Sequence, residues 1–182
     1  KKSKTGEKFY ALNGKIYDLD NDMLVISDKH GVDDLAGIMG GERTGVTEST
    51  THMFLEAAIF DPISIAQTGR KLNINSDARY RFERGLDYES PELVMNYAAS
   101  MVQEICGGKI SKVVSIQKDY KAKKIIFKPS KILKLSGVII ENKTAEMILT
   151  KLGFKIEINK DVWNIFVPSW RSDIDGTADI VE

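Results

Sequence analysis

Phe154-Lys155-Ile156-Glu157-Ile158, then Asn159-Lys160-Asp161, then Val162-Trp163-Asn164-Ile165-Phe166-Val167 reads as two β-strands split by a short polar turn. The residues before it change character. Asn142 is placed to cap a helix from Thr144 to Leu152, which Gly153 ends. Pro129-Ser130 starts a shorter helix that stops at Gly137, and Ile125-Ile126-Phe127 reads as a further strand. A strand, two helices and a hairpin within about sixty residues make a small α+β unit. A core of that size is marginal, so the unit is expected to pack on neighbours.

Upstream the pattern is again mixed. Phe9-Tyr10-Ala11-Leu12 precedes Asn13-Gly14, a type I′ hairpin signal, and Met23 to Ser27 reads as a buried strand. Gly31 to Asp34 reads as a turn, and Leu35 to Gly45 is dense in glycine. Met53-Phe54-Leu55-Glu56-Ala57-Ala58-Ile59-Phe60 is apolar enough for an interior strand, Glu56 excepted. Asp61-Pro62 is an N-cap with proline at the first helical position, opening a helix to about Leu72. Ser90-Pro91-Glu92 repeats that device for Leu93 to Ile105, where Val94, Ala98, Met101, Val102 and Ile105 recur at helical spacing before Gly107-Gly108. Lys109 to Ile116 is strand-like. Two parts are expected, residues 1–116 and 125–182, joined by a polar linker over 117–124. The fold class is α+β throughout.

The chain has 182 residues, 42% hydrophobic and 29% charged, with 26 basic and 26 acidic side chains. That composition belongs to a globular protein and excludes a disordered one. No run approaches the roughly 20 apolar residues that span a bilayer. The single cysteine, Cys106, excludes an internal disulfide framework and a cysteine-based zinc site. A reducing, cytoplasmic setting is the default expectation. The N-terminal Lys1-Lys2-Ser3-Lys4 lacks an initiator methionine and leads into no apolar signal core. The zero net charge is a cancellation: residues 1–111 carry −4, residues 112–160 carry +8 and residues 161–182 carry −4. The lysine-rich middle block is either a solvated face or a phosphate-contacting patch.

Several residues stand out chemically. Gly37, Gly40, Gly41 and Gly45 form neither a P-loop nor a G-x-G-x-x-G fingerprint. They permit a tight turn or the close approach of backbone to another group. Glu56 puts a carboxylate inside an apolar run, which is costly unless the chain turns it outward, Arg79 or Arg81 pairs with it, or it binds something. Arg79, Arg81 and Arg84 alternate with Tyr80 and Phe82. That pattern suits single-stranded RNA, and equally an amphipathic helix with an Arg–Glu83 network. His30 and His52 lie in a turn and a polar run, as surface histidines do. No Ser/His/Asp or Cys/His constellation is evident, and no general base lies near Ser76 in sequence. Asp173, Asp175, Asp179 and Glu182 cluster near the C-terminus, with Asp179 and Glu182 spaced i, i+3 on a helix. Acids there either offset a helix dipole, with Asp175 or Thr177 as the N-cap, or serve as oxygen ligands of the kind Mg²⁺ takes.

Two segments resemble a known family. One runs Leu35-Ala36-Gly37-Ile38-Met39-Gly40-Gly41, Leu55-Glu56-Ala57-Ala58 and Ser76-Asp77-Ala78-Arg79-Tyr80-Arg81-Phe82-Glu83-Arg84-Gly85-Leu86-Asp87. The other is Val167-Pro168-Ser169-Trp170-Arg171-Ser172-Asp173-Ile174 followed by Asp179-Ile180-Val181-Glu182. In this order and spacing they resemble the bacterial phenylalanine–tRNA ligase beta subunit, over nearly the whole chain. The resemblance implies the C-terminal part of a mixed α/β editing domain, followed by a small, winged-helix-like α+β domain.

It also implies roles for residues. Glu56 would recognise the tyrosine hydroxyl of a mischarged aminoacyl ester, with Ala36, Gly37, Ser76 and Ala78 around it. An apolar pocket rejects an added hydroxyl only about a hundredfold, so an enzyme for phenylalanine needs such a second check. Water positioned by the pocket and the tRNA end would do the hydrolysis. The family's site also draws on residues preceding Lys1, including a histidine, so the segment alone is expected to be inactive. Asp173, Asp179 and Glu182 would bind Mg²⁺ at the contact with the alpha subunit, which carries the ATP-using aminoacylation site. The implied partners are that alpha subunit, in a heterotetramer of two alpha and two beta chains, and tRNA(Phe). Trp170 and Pro168 are expected to anchor their strand rather than touch substrate. The competing expectation is a non-catalytic nucleic-acid-binding or scaffold module built on the 112–160 block.

Overall fold

Asp61 accepts a hydrogen bond from the Ser64 amide (2.8 Å), and Pro62 follows it, so the chain enters helix α1 (Pro62–Lys71) as the sequence specifies. The structure, a computed structural model, describes residues 1–116 and 120–182. It divides into two units, Lys1–Leu86 with Pro91–Ile110 and Asp87–Ser90 with Ser111–Glu182. Part of the expected linker, 117–119, lies outside the described residues, and Lys124 already belongs to a strand.

The first unit is built on two small antiparallel sheets. Strands β1 (Lys8–Tyr10) and β2 (Ile16–Asp18) form a hairpin, and β3 (Val25–Ser27), β4 (Val32–Leu35) and β5 (Met39–Gly40) make a three-stranded meander. The first hairpin departs from the type I′ expectation. Only Gly14 is left-handed, and Ala11 both accepts from the Gly14 amide and donates to Lys15. That is a three-residue loop with glycine at its left-handed position. Gly31 to Asp34 is likewise not a turn: Asp28 caps the turn one step earlier, accepting from the His30 amide, and Val32 opens β4.

Phe9, Ala11, Leu19, Met23, Val25, Leu35, Ile38, Ile65 and Ile74 form the buried core of this unit. Helix α1 contributes one turn of it through Ile65. Its end is a Schellman motif with Asn73 left-handed in the place glycine usually takes: Asn73 donates to Arg70 and Ile74 donates to Gly69. Ser76 then caps helix α2 (Asp77–Phe82).

Two expectations fail in this part. Met53 to Phe60 joins no strand, and Phe54 is 90% exposed. An apolar run becomes a strand only where a neighbour takes its backbone N–H and C=O groups, and no described strand does so. Lys109 to Ile116 is likewise without a strand. Helix α3 (Pro91–Cys106) forms over the expected residues, yet none of its side chains is buried. Its periodic apolar stripe satisfies helix geometry, and the described residues supply no face to cover it.

The second unit has strand order β6-β8-β7, antiparallel, from β6 (Lys124–Phe127), β7 (Lys155–Asn159) and β8 (Val162–Phe166). Helices α4 (Ser130–Ser136) and α5 (Asn142–Lys151) lie between β6 and β7 in sequence, and α6 (Thr177–Val181) closes the chain. Asn142 is the first helical residue rather than the cap; Glu141 holds the cap position without a side-chain bond. Central strand β8 turns Trp163 and Ile165 inward, where they meet Ile125 and Phe127 of β6 and Leu149 of α5. Gly153 is left-handed (φ +90°), and a Cβ there would sit 2.7 Å from Trp170 Cζ2. Trp170 therefore holds the α5–β7 corner, and Pro168 beside it is buried. No helix among the described residues is long and apolar enough to cross a membrane.

Candidate functional site and carboxylate cluster

The glycine segment and the α1–α2 corner meet through one hydroxyl. Ser76 Oγ donates to the Ile38 carbonyl (2.6 Å) and accepts from the Arg79 amide (3.1 Å). Its single proton is spent on that carbonyl, so Ser76 works here as a tie and a cap. Gly37 is left-handed (φ +67°), and a Cβ on it would stand 3.1 Å from both Phe60 and Phe82. Those rings pack at 5.4 Å between centroids, so the backbone approaches them as only glycine allows. Ala36 is buried beside it, and Ala78 lies exposed in the first turn of α2. Ala36, Gly37 and Ser76 are thus brought together.

Glu56, itself exposed, acts by its charge on Asp34 of β4, the strand that leads into Ala36 and Gly37. It pairs with neither Arg79 nor Arg81, and among the described residues it has no ion-pair partner. Desolvation pushes its carboxyl above the usual range. The neighbour that sequence reading missed is Asp34 on β4. Burial first, then the charges of Glu56 and Asp33, push the Asp34 carboxyl up to about 6. Adjacent acids at 33 and 34 read as a turn in sequence, so nothing signalled that one faces inward toward Glu56. Asp33 is satisfied differently, by Arg43, which also reaches Asp28 (2.9 Å).

Of the arginine run, Arg79 follows the Arg–Glu83 alternative. Its Nε donates to Glu83 (3.0 Å) and its Nη1 to the Ile74 carbonyl (2.7 Å) and to Asn75 (3.0 Å). Arg84 lies over the Tyr80 ring, 3.7 Å from its centroid. Both histidines are exposed.

At the C-terminus the acids are divided among local tasks. Asp173 takes a two-pronged bond from Arg171 (2.8 and 2.7 Å), which holds its carboxyl below the usual range. Asp179 accepts from the amides of Asp175 and Gly176 (2.8 and 2.7 Å) at the start of α6, which lowers its carboxyl too. Asp179 therefore closes the cap expected of Asp175 or Thr177, and Asp175 instead pairs with Lys123. Glu182 is exposed at the end of α6 and lines, with Asp173 and Asp179, the rim of an apolar groove of about 660 Å³. Oxygen-only donors suit Mg²⁺ in kind. Their arrangement does not: among the described residues no three His, Cys, Asp or Glu side chains converge as a ligand set.

Two family models match the chain, one over each part of it. The chain belongs to the B3/4 domain family, whose model matches residues 1–107, and the tRNA synthetase B5 domain model matches residues 125–182. Over its whole length it is similar to the phenylalanine–tRNA ligase beta subunits of Bradyrhizobium diazoefficiens (45% identical over 183 residues) and Rhodopseudomonas palustris (45% over 183 residues). The subunit of Bartonella quintana is 47% identical over 184 residues. The resemblance drawn from the motifs is borne out, as is the α+β fold class. The chain spans about 23% of the length of each of these relatives.

Proposed function

We propose that this chain is a segment of a phenylalanine–tRNA ligase beta subunit and that it supplies part of a pocket clearing tyrosine from mischarged tRNA(Phe). The parent enzyme would charge tRNA(Phe) with phenylalanine using ATP, at a site on the alpha subunit of an α₂β₂ assembly. The observation that carries the reading is Glu56: an exposed carboxylate raised by partial desolvation, without an ion-pair partner among the described residues, and near enough to act on Asp34, on the strand that leads into Ala36 and Gly37. An acceptor in that state gains from a phenol that donates to it, and a phenylalanine ring would leave it unpaired. Water aligned by the pocket and the tRNA end performs the hydrolysis, since the proton of Ser76 is committed to Ile38.

The test uses the assembled ligase. Glu56→Ala removes the acceptor and should slow hydrolysis of Tyr-tRNA(Phe) by roughly 10- to 100-fold, the worth of a hydrogen bond to a charged group. Charging with phenylalanine should be unchanged. Undiminished tyrosine clearance would remove Glu56 from the pocket.

Mg²⁺ is proposed at Asp173, Asp179 and Glu182, supported by the resemblance and by the donor chemistry, and it would have to draw together carboxylates that do not converge among the described residues. Binding there requires Asp173 to leave Arg171. Asp173→Asn should therefore weaken Mg²⁺-dependent association of the two subunits, measured by sedimentation at graded Mg²⁺. Equal association at every Mg²⁺ level would end that assignment.

A further inference from the structure

Gly69 is buried in the last turn of α1, and glycine within a helix costs about 0.5–1 kcal/mol relative to alanine. The reason lies ten residues on. A Cβ at 69 would overlap Cδ and Nε of Arg79 outright and come within 2.8 Å of its Cζ. The arginine stem runs over the bare helix backbone and brings its guanidinium to the corner between α1 and α2. The Arg79 side chain is only 13% exposed there.

The guanidinium binds three acceptors around that corner: the Ile74 carbonyl, the Asn75 side chain and Glu83, which also receives Arg84 (3.2 Å). Ile74 is the last residue of the Schellman motif, and Ser76 follows two residues later. Arg79 also supplies the amide that Ser76 caps. Side chain and backbone of one residue thus grip the segment 74–76 from both ends. What the segment carries is the hydroxyl tied to Ile38, one residue from Gly37.

We infer that Arg79 is a positioning residue for the pocket: laid across Gly69, it fixes the 74–76 corner so that Ser76 holds the Ala36–Gly37–Ile38 backbone in place. This rests on the pocket reading above. Arg79 touches no substrate in it; it acts through Ser76. The planar guanidinium reaches three acceptors in different directions, which a lysine ammonium on the same path cannot do.

The experiment uses the assembled ligase with Arg79→Ala and Arg79→Lys, and with Glu56→Ala in parallel. Arg79→Ala should lower kcat for Tyr-tRNA(Phe) hydrolysis by about 10- to 100-fold, the scale of an ångström-level displacement of pocket backbone. KM and phenylalanine charging should hold. Free guanidinium ion at non-denaturing concentration should restore part of the loss in Arg79→Ala, and Arg79→Lys should stay slow. If Arg79→Ala does not fold, Gly69→Ala displaces the arginine without removing it and should give the same kcat loss. A loss shared by phenylalanine charging and unresponsive to guanidinium would overturn the inference, reducing Arg79 to general stability. Clearance lost in Glu56→Ala and intact in the Arg79 variants would overturn it while sparing the pocket. Clearance intact in both would remove the pocket reading itself.

Discussion

Asp34 shows how one side chain can be mispriced by its neighbours. It pairs across the sheet with Gly40, half-buried, with Glu56 and Asp33 as the charges acting on it. Its carboxyl titrates near 6 in the folded protein against 3.8 for an unperturbed one. A raised acid favours folding below the unfolded value and loses that contribution as pH rises through the folded value. Asp34 therefore costs the first unit stability progressively from about pH 4 to pH 6 and fully above. Asp34→Asn should raise the urea midpoint at pH 8 and leave it unchanged near pH 4. A gain of equal size at both pH values would show that the carboxylate is not held out of water. Glu56 is raised in the same direction, so its amide variant should shift the midpoint the same way.

At the scale of elements, what could be read in advance was what is encoded locally. Asp61-Pro62 opening α1, Gly137 ending α4 and the β7–β8 hairpin each carry their instruction within a few residues, and each forms. The failures needed a distant partner. Met53 to Phe60 has strand composition but no ladder, and the stripe on α3 has periodicity but no cover. In the candidate site, Glu56 stood out because a carboxylate in an apolar run is anomalous by itself. Asp34 was not, because its burial comes from strands that sequence reading took for a turn. Gly153 belongs to the legible class. Alanine there meets both a left-handed backbone and the Trp170 ring. Gly153→Ala should cost about 1–3 kcal/mol in urea unfolding of the second unit, the range for a strained non-glycine residue. A cost below about 0.5 kcal/mol would mean the corner repacks freely.

For the whole molecule, charge and core divide differently. The zero net charge sums a +8 block and two acidic ones, so it constrains no partner. The two core clusters share no residue: Phe9 to Ile74 build one, and Ile125 to Ile180 the other. The second contains Trp163, 1% exposed, and both tryptophans of the chain lie in that unit. Residues 111–182 made alone should show blue-shifted tryptophan emission that is lost in one cooperative step with urea. Emission already at the position of exposed indole without denaturant would show that eleven buried side chains are too few to hold it, as its size alone suggests.

Gly69 and Arg79 also bear on how such a protein can be altered over generations. The volume one lacks is the volume the other fills, so neither position is free to drift first. An alanine at 69 displaces the arginine, and a short residue at 79 leaves a gap over a helix already weakened by glycine. The two sites should be inherited as one character, replaced together or kept together. A designer who swaps that glycine for a better helix former would be editing the far side of the corner without intending to.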